Sequence, residues 1–195
     1  MHNELRAMYE ADQAERQPHP AYGTPAYWQL RARDAERRAR VQGLLAENAS
    51  LDAGDLYHAA LILQHGEDLE EIWQAHTLAA RAAELDYIPA RWLAAAALDR
   101  WLMYQGRWQR YGTQFVPDGT GYRLWDVEPT TTDADRAAWD VPSLAEQRAH
   151  AHEMSQTEPQ PPMENAPWWL KEALKRWGQP PNSSDESSLH PKTDR

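Results

Sequence analysis

The segment Asp68–Gly106, DLEEIWQAHTLAARAAELDYIPARWLAAAALDRWLMYQG, decides the fold class. Asp68 and Glu71 have the spacing of a capping box, in which the N-cap side chain and the residue three on satisfy each other's free N–H groups. A helix is therefore expected from Asp68 through Ile72, Trp73, Leu78 and Ala82 to about Leu85. Pro89 suits the first turn of a following helix, where its missing N–H costs no intrahelical bond. The stripe of that helix is Leu93, Ala97, Trp101, Tyr104 and Trp108, and Gly106 marks its end. The alanines of the pair allow close helix packing, as in helical repeats, but no repeat period recurs along the chain.

Working outward toward the N-terminus, a helix is expected from near Asp52 to Gln64-His65, with Leu56, Ala59, Ala60 and Leu63 on one face. Gly66 after Gln64-His65 reads as its left-handed C-terminal residue. Thr24 followed by Pro25 marks the start of a helix running through Tyr27, Trp28 and Leu30 to Leu45. The Pro18 and Pro20 region separates it from a polar helix over about 1–16 that carries Leu5, Met8 and Tyr9 on one side.

Toward the C-terminus, Tyr111–Val116 and Tyr122–Val127 are β-prone runs around the turn residues Pro117–Gly121, which predicts a hairpin. Alternation would send Tyr111 and Thr113 to one side and Gly112 and Gln114 to the other. Thr132-Asp133 opens a short helix, and Ser143 with Glu146 forms a second capping box opening a helix to about Met154. The expected fold class is mostly α: a compact helical domain of about six helices with a small β-hairpin near 111–127. The expected organisation is a helical domain over 1–154, a Pro-rich linker over 155–167, an amphipathic Trp-rich helix over 168–178 and a disordered tail over 179–195.

Composition limits function. The chain has 195 residues and a formal net charge of −10, and its arginines are interleaved with acids, so neither nucleic acid nor an anionic membrane surface is an expected partner. There is no cysteine, which excludes disulfides, thiol catalysis and Cys-held metals. The polar N-terminus is not a signal peptide, and the longest apolar run, Trp92–Leu98, is too short for a membrane span, so the cytoplasm is the expected location. The Ala-rich bias, with Arg preferred over Lys, suggests a GC-rich bacterial genome. His58, His65 and His76 are spaced too widely along helices to share one ion, and no metal or other cofactor is expected. No phosphate loop, dinucleotide fingerprint or nucleophile elbow is present.

Polar residues that interrupt apolar helices are the candidates for chemistry. Asp99 and Arg100 break an otherwise apolar helix, and a buried charge requires a partner. That partner is either a salt bridge locking the helix to its neighbour or a ligand. His65 at a helix C-terminus can cap carbonyls or move a proton. Candidate catalytic residues are therefore His65, Asp99 and Tyr111, and candidate ligand-binding residues are Gln64, Arg100, Thr113, Gln114, Asp12 and Gln13. With His65 as acid or base and Arg100 as an anion clamp, an acyl or amide substrate would be natural. Ten Trp and eight Tyr stand against one Phe. Trp28, Trp73, Trp92, Trp101 and Trp108 fit helix faces and read as core. Trp168, Trp169, Leu170, Leu174 and Trp177 form a detached apolar face that docks on its own domain, on a protein partner or on a second copy.

Gln64-His65-Gly66-Glu67, Asp99-Arg100, Gln105-Gly106-Arg107 and Gln109–Gln114, with Asp12-Gln13 and Arg16, resemble the family catalogued as domain of unknown function 6624 (DUF6624). The resemblance covers roughly residues 5–150. It implies a helical bacterial protein without an established activity, and it groups Asp12, Gln13, His65, Asp99, Arg100, Tyr111 and Gln114. The family often has Asp two positions after the His, where this chain has Glu67, and its usual Trp-Pro before the third helix is missing. Two functions are consistent with these residues: a pocket that binds or transforms a small molecule or peptide, and a helical interaction module working through the Trp-rich helix.

Overall fold

We analysed a computed structural model, which describes residues 2–178 apart from positions 19, 21, 48 and 49, with the backbone alone at Asn165. The tail expected to be disordered, 179–195, lies outside the described residues. The described chain is mostly helical, with eight α-helices and one two-stranded antiparallel sheet. In order these are α1 (Asn3–Glu15), α2 (Pro25–Ala46), α3 (Ala53–Leu63), α4 (Leu69–Glu84), α5 (Pro89–Tyr104), β1 (Phe115–Pro117), β2 (Tyr122–Leu124), α6 (Asp133–Ala137), α7 (Leu144–Thr157) and α8 (Trp168–Gly178).

Local signals set most helix starts. Thr24 accepts from Tyr27 N, and Asp52 with Asp55, Thr132 with Asp135, and Ser143 with Glu146 form reciprocal capping boxes. At α4 the expected box is only half made. Asp68 caps Glu70 N and Glu71 N, but the Glu71 carboxylate accepts from Arg38 Nε at 2.9 Å. A charged partner from α2 outcompetes the weak local bond. Gly66 is not left-handed, contrary to expectation. It is small because a Cβ there would collide with the Glu71 carboxylate and crowd the Leu63 carbonyl at 3.1 Å.

Four apolar clusters result among the described residues, of which two organise the fold. The first joins α1 to α5 through Leu5, Val41, Leu44, Ala59, Ile62, Leu63, Ala75 and Ala97. Alanines at 75, 79 and 82 on α4 and at 90, 94 and 97 on α5 are fully buried, which brings the two helices close. The second cluster joins the end of α5, the hairpin and α8 through Met103, Val116, Trp125, Trp169, Leu170 and Ala173. The partner surface expected on α8 is therefore used within the chain. Trp169 is 9% exposed, Leu170 and Leu174 pack in the same cluster, and Trp177 donates to Asp126 while Arg123 lies over its ring. Only Trp168 points outward, at 63% exposure. The hairpin is shorter than its β-prone runs, with Phe115 opposite Leu124 and Pro117 opposite Tyr122. No helix among the described residues is long and apolar enough to cross a membrane.

Candidate functional site

The residues grouped by sequence separate into two polar assemblies on either side of α5. The first surrounds Asp99, which is completely buried. Its Oδ1 accepts the N–H groups of Arg110 at 2.7 Å and Tyr111 at 3.0 Å. Its Oδ2 accepts those of Gly112 at 2.9 Å and Thr113 at 3.0 Å, and the Thr113 hydroxyl at 2.9 Å. The segment Tyr111–Gln114 is thus not a strand, as alternation suggested, but a turn wrapped around a carboxylate, with Gly112 at φ +91°. Burial pushes the Asp99 carboxyl up, and the surrounding donors pull against that shift. A proton on Oδ1 would displace one of its N–H donors, and a proton on Oδ2 could be accepted only by turning the Thr113 hydroxyl.

The rest of this assembly is equally committed. Gln109 is fully buried, donates to the carbonyls of Gln114 and Trp125, and accepts from Gln114 N at 2.8 Å. The Gln114 amide donates to the Ala96 carbonyl at 3.1 Å. Arg136, 1% exposed, donates to the Tyr111 carbonyl at 2.9 Å. The Tyr111 ring packs with Ala95 and Val141 in a small apolar cluster beside Trp139. The geometry gives Asp99, Tyr111 and Gln114 a structural use, so they do not join His65 in a reactive constellation. Sequence reading overlooked Arg136, which has no motif and looks like an ordinary surface residue, and it met Gln109 only within the Gln109–Gln114 stretch of the family resemblance, without a role.

The second assembly lies among α1, α2 and the end of α3. Asp12 and Asp34 are each 1% exposed, and Arg16 bridges them at 2.9 and 2.8 Å. Gln13 donates to Asp12, and Arg37 joins Asp34 to Glu15. His65 Nε2 stands 3.3 Å from Asp12 Oδ2, close but not aligned as a full hydrogen bond. Burial lowers the His65 pKa, with Asp12 opposing and Arg16 reinforcing the shift. Burial raises the Asp12 carboxyl, but the neighbouring His65 and the hydrogen-bonded Arg16 outweigh it, and the net shift is strongly downward. The carbonyls at the end of α3 are capped by arginines: Arg100 donates to Gln64 O at 3.0 Å and Arg31 to His65 O at 2.9 Å. Arg100 is thus a helix cap rather than a free anion clamp.

Arg31 leads outward to the larger of two clefts. Its second nitrogen donates to Glu67 at 2.7 Å, and both residues line a cleft of about 820 Å³. The turn before α2 supplies Tyr22 to this cleft, and the start of α2 supplies Tyr27 and Trp28. The end of α5 supplies Tyr104 and Gln105, and the start of α8 supplies Trp168 and Trp169. Tyr22, Trp28 and Trp168 are 44%, 56% and 63% exposed, so Trp28 is not the core residue its spacing suggested. Trp73 and Trp92, each 44% exposed, depart from that expectation too. Helical spacing identifies a common face but not whether anything covers it. A smaller cleft of about 400 Å³ lies between Trp92, Thr113, Phe115 and α7. Among the described residues, no cluster of three His, Asp or Glu side chains is arranged to hold a metal.

Comparison with known protein families, curated proteins and solved structures finds no match to this chain.

Proposed function

We propose that this protein is a cytoplasmic recognition protein that holds a short peptide or small molecule in the aromatic cleft between α2 and α8. One observation carries the reading: Trp28 and Trp168 line the same 820 Å³ space, each more than half exposed. Pockets of this size suit small ligands, and clustered exposed aromatics in a monomer mark a binding surface. The rings of Tyr27 and Trp28 meet edge to face at 80°, and Tyr22 is tilted 58° to Trp28, which leaves slots rather than one flat shelf. Such slots suit proline rings or aromatic groups on an extended peptide. The Arg31–Glu67 pair at the same cleft supplies a polar contact for a neighbouring charge.

The test is an NMR screen of short Pro-containing peptides and aromatic fragments. Shifts should gather at Trp28, Trp168 and Arg31, and Trp28→Ala or Trp168→Ala should weaken the same hits at least tenfold. Hits that bind elsewhere, or that survive both substitutions, defeat the proposal.

A second reading rests on the 3.3 Å approach of His65 to Asp12, directly behind Arg31. In that reading Asp12 orients an imidazole that moves a proton once Arg31 swings aside. His65→Gln would then abolish turnover of a cleft ligand without weakening its binding. Equal turnover in the variant would remove this reading. Membership of the 6624 family belongs to the same proposal, supported by the convergence of Asp12, Gln13 and His65.

A further inference from the structure

Arg31 meets the larger cleft with one nitrogen fixed and one exchangeable. Its Nη1 donates to the His65 carbonyl at 2.9 Å and stands 3.7 Å from Oδ2 of the buried Asp34. Asp34 is already bonded by Arg16 at 2.8 Å and by Arg37 at 3.4 Å. The Nη2 of Arg31 donates to Glu67 at 2.7 Å, and both residues line the cleft. The Glu67 side chain is 74% exposed, and Arg31 is its only hydrogen-bond or ion-pair partner among the described residues. An ion pair this exposed contributes little, because water and salt screen it and two long side chains must be held still. The two partners are therefore unequal. Glu67 can swing into water at little cost, whereas moving Arg31 strips a cap from the end of α3. Arg100 adds a second cation at the same helix end. It donates to the Gln64 carbonyl, its Nε is buried without a hydrogen-bond partner, and its guanidinium lies 5.7 Å over the ring of Tyr104, which lines the cleft. The partial negative charge of the α3 carbonyls offsets these two guanidiniums only in part.

We propose that the ligand of this cleft is a peptide with a free C-terminal carboxylate, which displaces Glu67 from Arg31. A carboxylate oxygen of the ligand accepts from Arg31 Nη2, and the last residues of the peptide lie between Trp28 and Trp168. This recognition rests on the aromatic-cleft reading, and it requires Arg31 to stay in place rather than swing aside. A peptide that ends in an amide brings no charge and leaves Glu67 where it is.

The probes are acetyl-Ala-Pro-Trp and acetyl-Ala-Pro-Leu, each as the free acid and as the C-terminal amide. They are titrated into the full chain and followed by two-dimensional ¹⁵N–¹H spectra, with the Trp28 and Trp168 indoles reporting the cleft. The acids should bind about tenfold more tightly than the amides, and the preference should shrink as salt is raised. Glu67→Gln, at an exposed position, should strengthen binding of the acids about threefold and leave the amides unchanged. Arg31→Gln should remove the preference for the acids. Equal binding of acid and amide at Trp28 and Trp168 overturns the carboxylate and leaves the cleft reading standing. Unchanged or weaker binding of the acids to Glu67→Gln overturns the displacement, and a preference retained in Arg31→Gln overturns the role of Arg31. Should Arg31→Gln fail to fold, the acid–amide comparison and Glu67→Gln decide. Absence of shifts at both indoles with every probe overturns the cleft reading and this one together.

Discussion

Replacing Asp99 by Asn changes one oxygen of the buried carboxylate to NH₂ and leaves its shape intact. The consequence follows from the turn around it. With the amide nitrogen at the Oδ2 position, the N–H groups of Gly112 and Thr113 lose their acceptor. With it at Oδ1, Arg110 N is orphaned and Tyr111 N keeps only its 3.2 Å contact. A hydrogen bond to a charged acceptor contributes about 1.5–3 kcal/mol, so one or two orphaned donors and the weakening of the rest total about 3–5 kcal/mol. Against this, loss of the charge recovers part of the burial penalty that pushes the carboxyl up. The donors should prevail, because the Thr113 hydroxyl, which already accepts from Gln114, is the one group hydrogen-bonded to the carboxylate that can accept the new N–H. Domains of this kind are stable by about 5–15 kcal/mol, so the variant should remain folded but be visibly weakened. Urea unfolding followed by tryptophan fluorescence should give a lower midpoint at unchanged slope, with faster amide exchange at 110–113. A loss below about 1 kcal/mol would refute the account of Asp99 as the centre of the turn.

Two further outcomes test the other assemblies. The lowered His65 pKa means that the unfolded chain binds a proton first, so stability should fall as pH drops below the ordinary histidine value of 6.5. His58, also lowered by burial, acts with the same sign, and Asp12 adds to the loss only below its ordinary value of 3.8. His65→Gln should therefore flatten, without abolishing, the decline in Tm between about pH 7.5 and pH 5.5, and an unchanged slope would contradict the assignment. In α8, Trp169→Ala should cost about 3–5 kcal/mol by opening the second core cluster. Trp168→Ala next to it should cost no more than about 0.5 kcal/mol, and equal losses in chemical unfolding would show that α8 is docked differently.

The helices were legible in the sequence wherever their signals were local. Thr24-Pro25, Asp52 and the Ser143–Glu146 pair act within one turn and need no tertiary partner. Asp68–Glu71 carried the same signal, yet Glu71 went to Arg38, because a distant guanidinium is invisible from spacing alone. Tyr111–Gln114 has the residues of a strand, and only the position of Asp99 reveals that its N–H groups converge. The candidate site was legible as a set of residues but not as two sets. Asp99 and Arg100 are adjacent on α5 but serve opposite sides of it, one toward the 110–113 turn and the other toward the end of α3. Asp34 and Arg37, which complete the His65 assembly, stood within a run of alternating charges that reads as a solvated helix face. The aromatic cleft was hidden because its sides come from distant segments.

That last feature also governs order of assembly. Trp28 leaves the ribosome long before Trp168, so the larger cleft lacks the wall made by Trp168 and Trp169 until α8 settles on Trp125 and Met103. Ligand capture must wait for the last described helix to dock. A ligand spanning the cleft then acts as a reversible tie between distant parts of one chain. Its benefit grows with concentration as mass action requires, and should appear chiefly as slower release of α8. Occupancy would thereby protect the Pro-rich connection before α8 from proteolysis, though the ligand need never touch it.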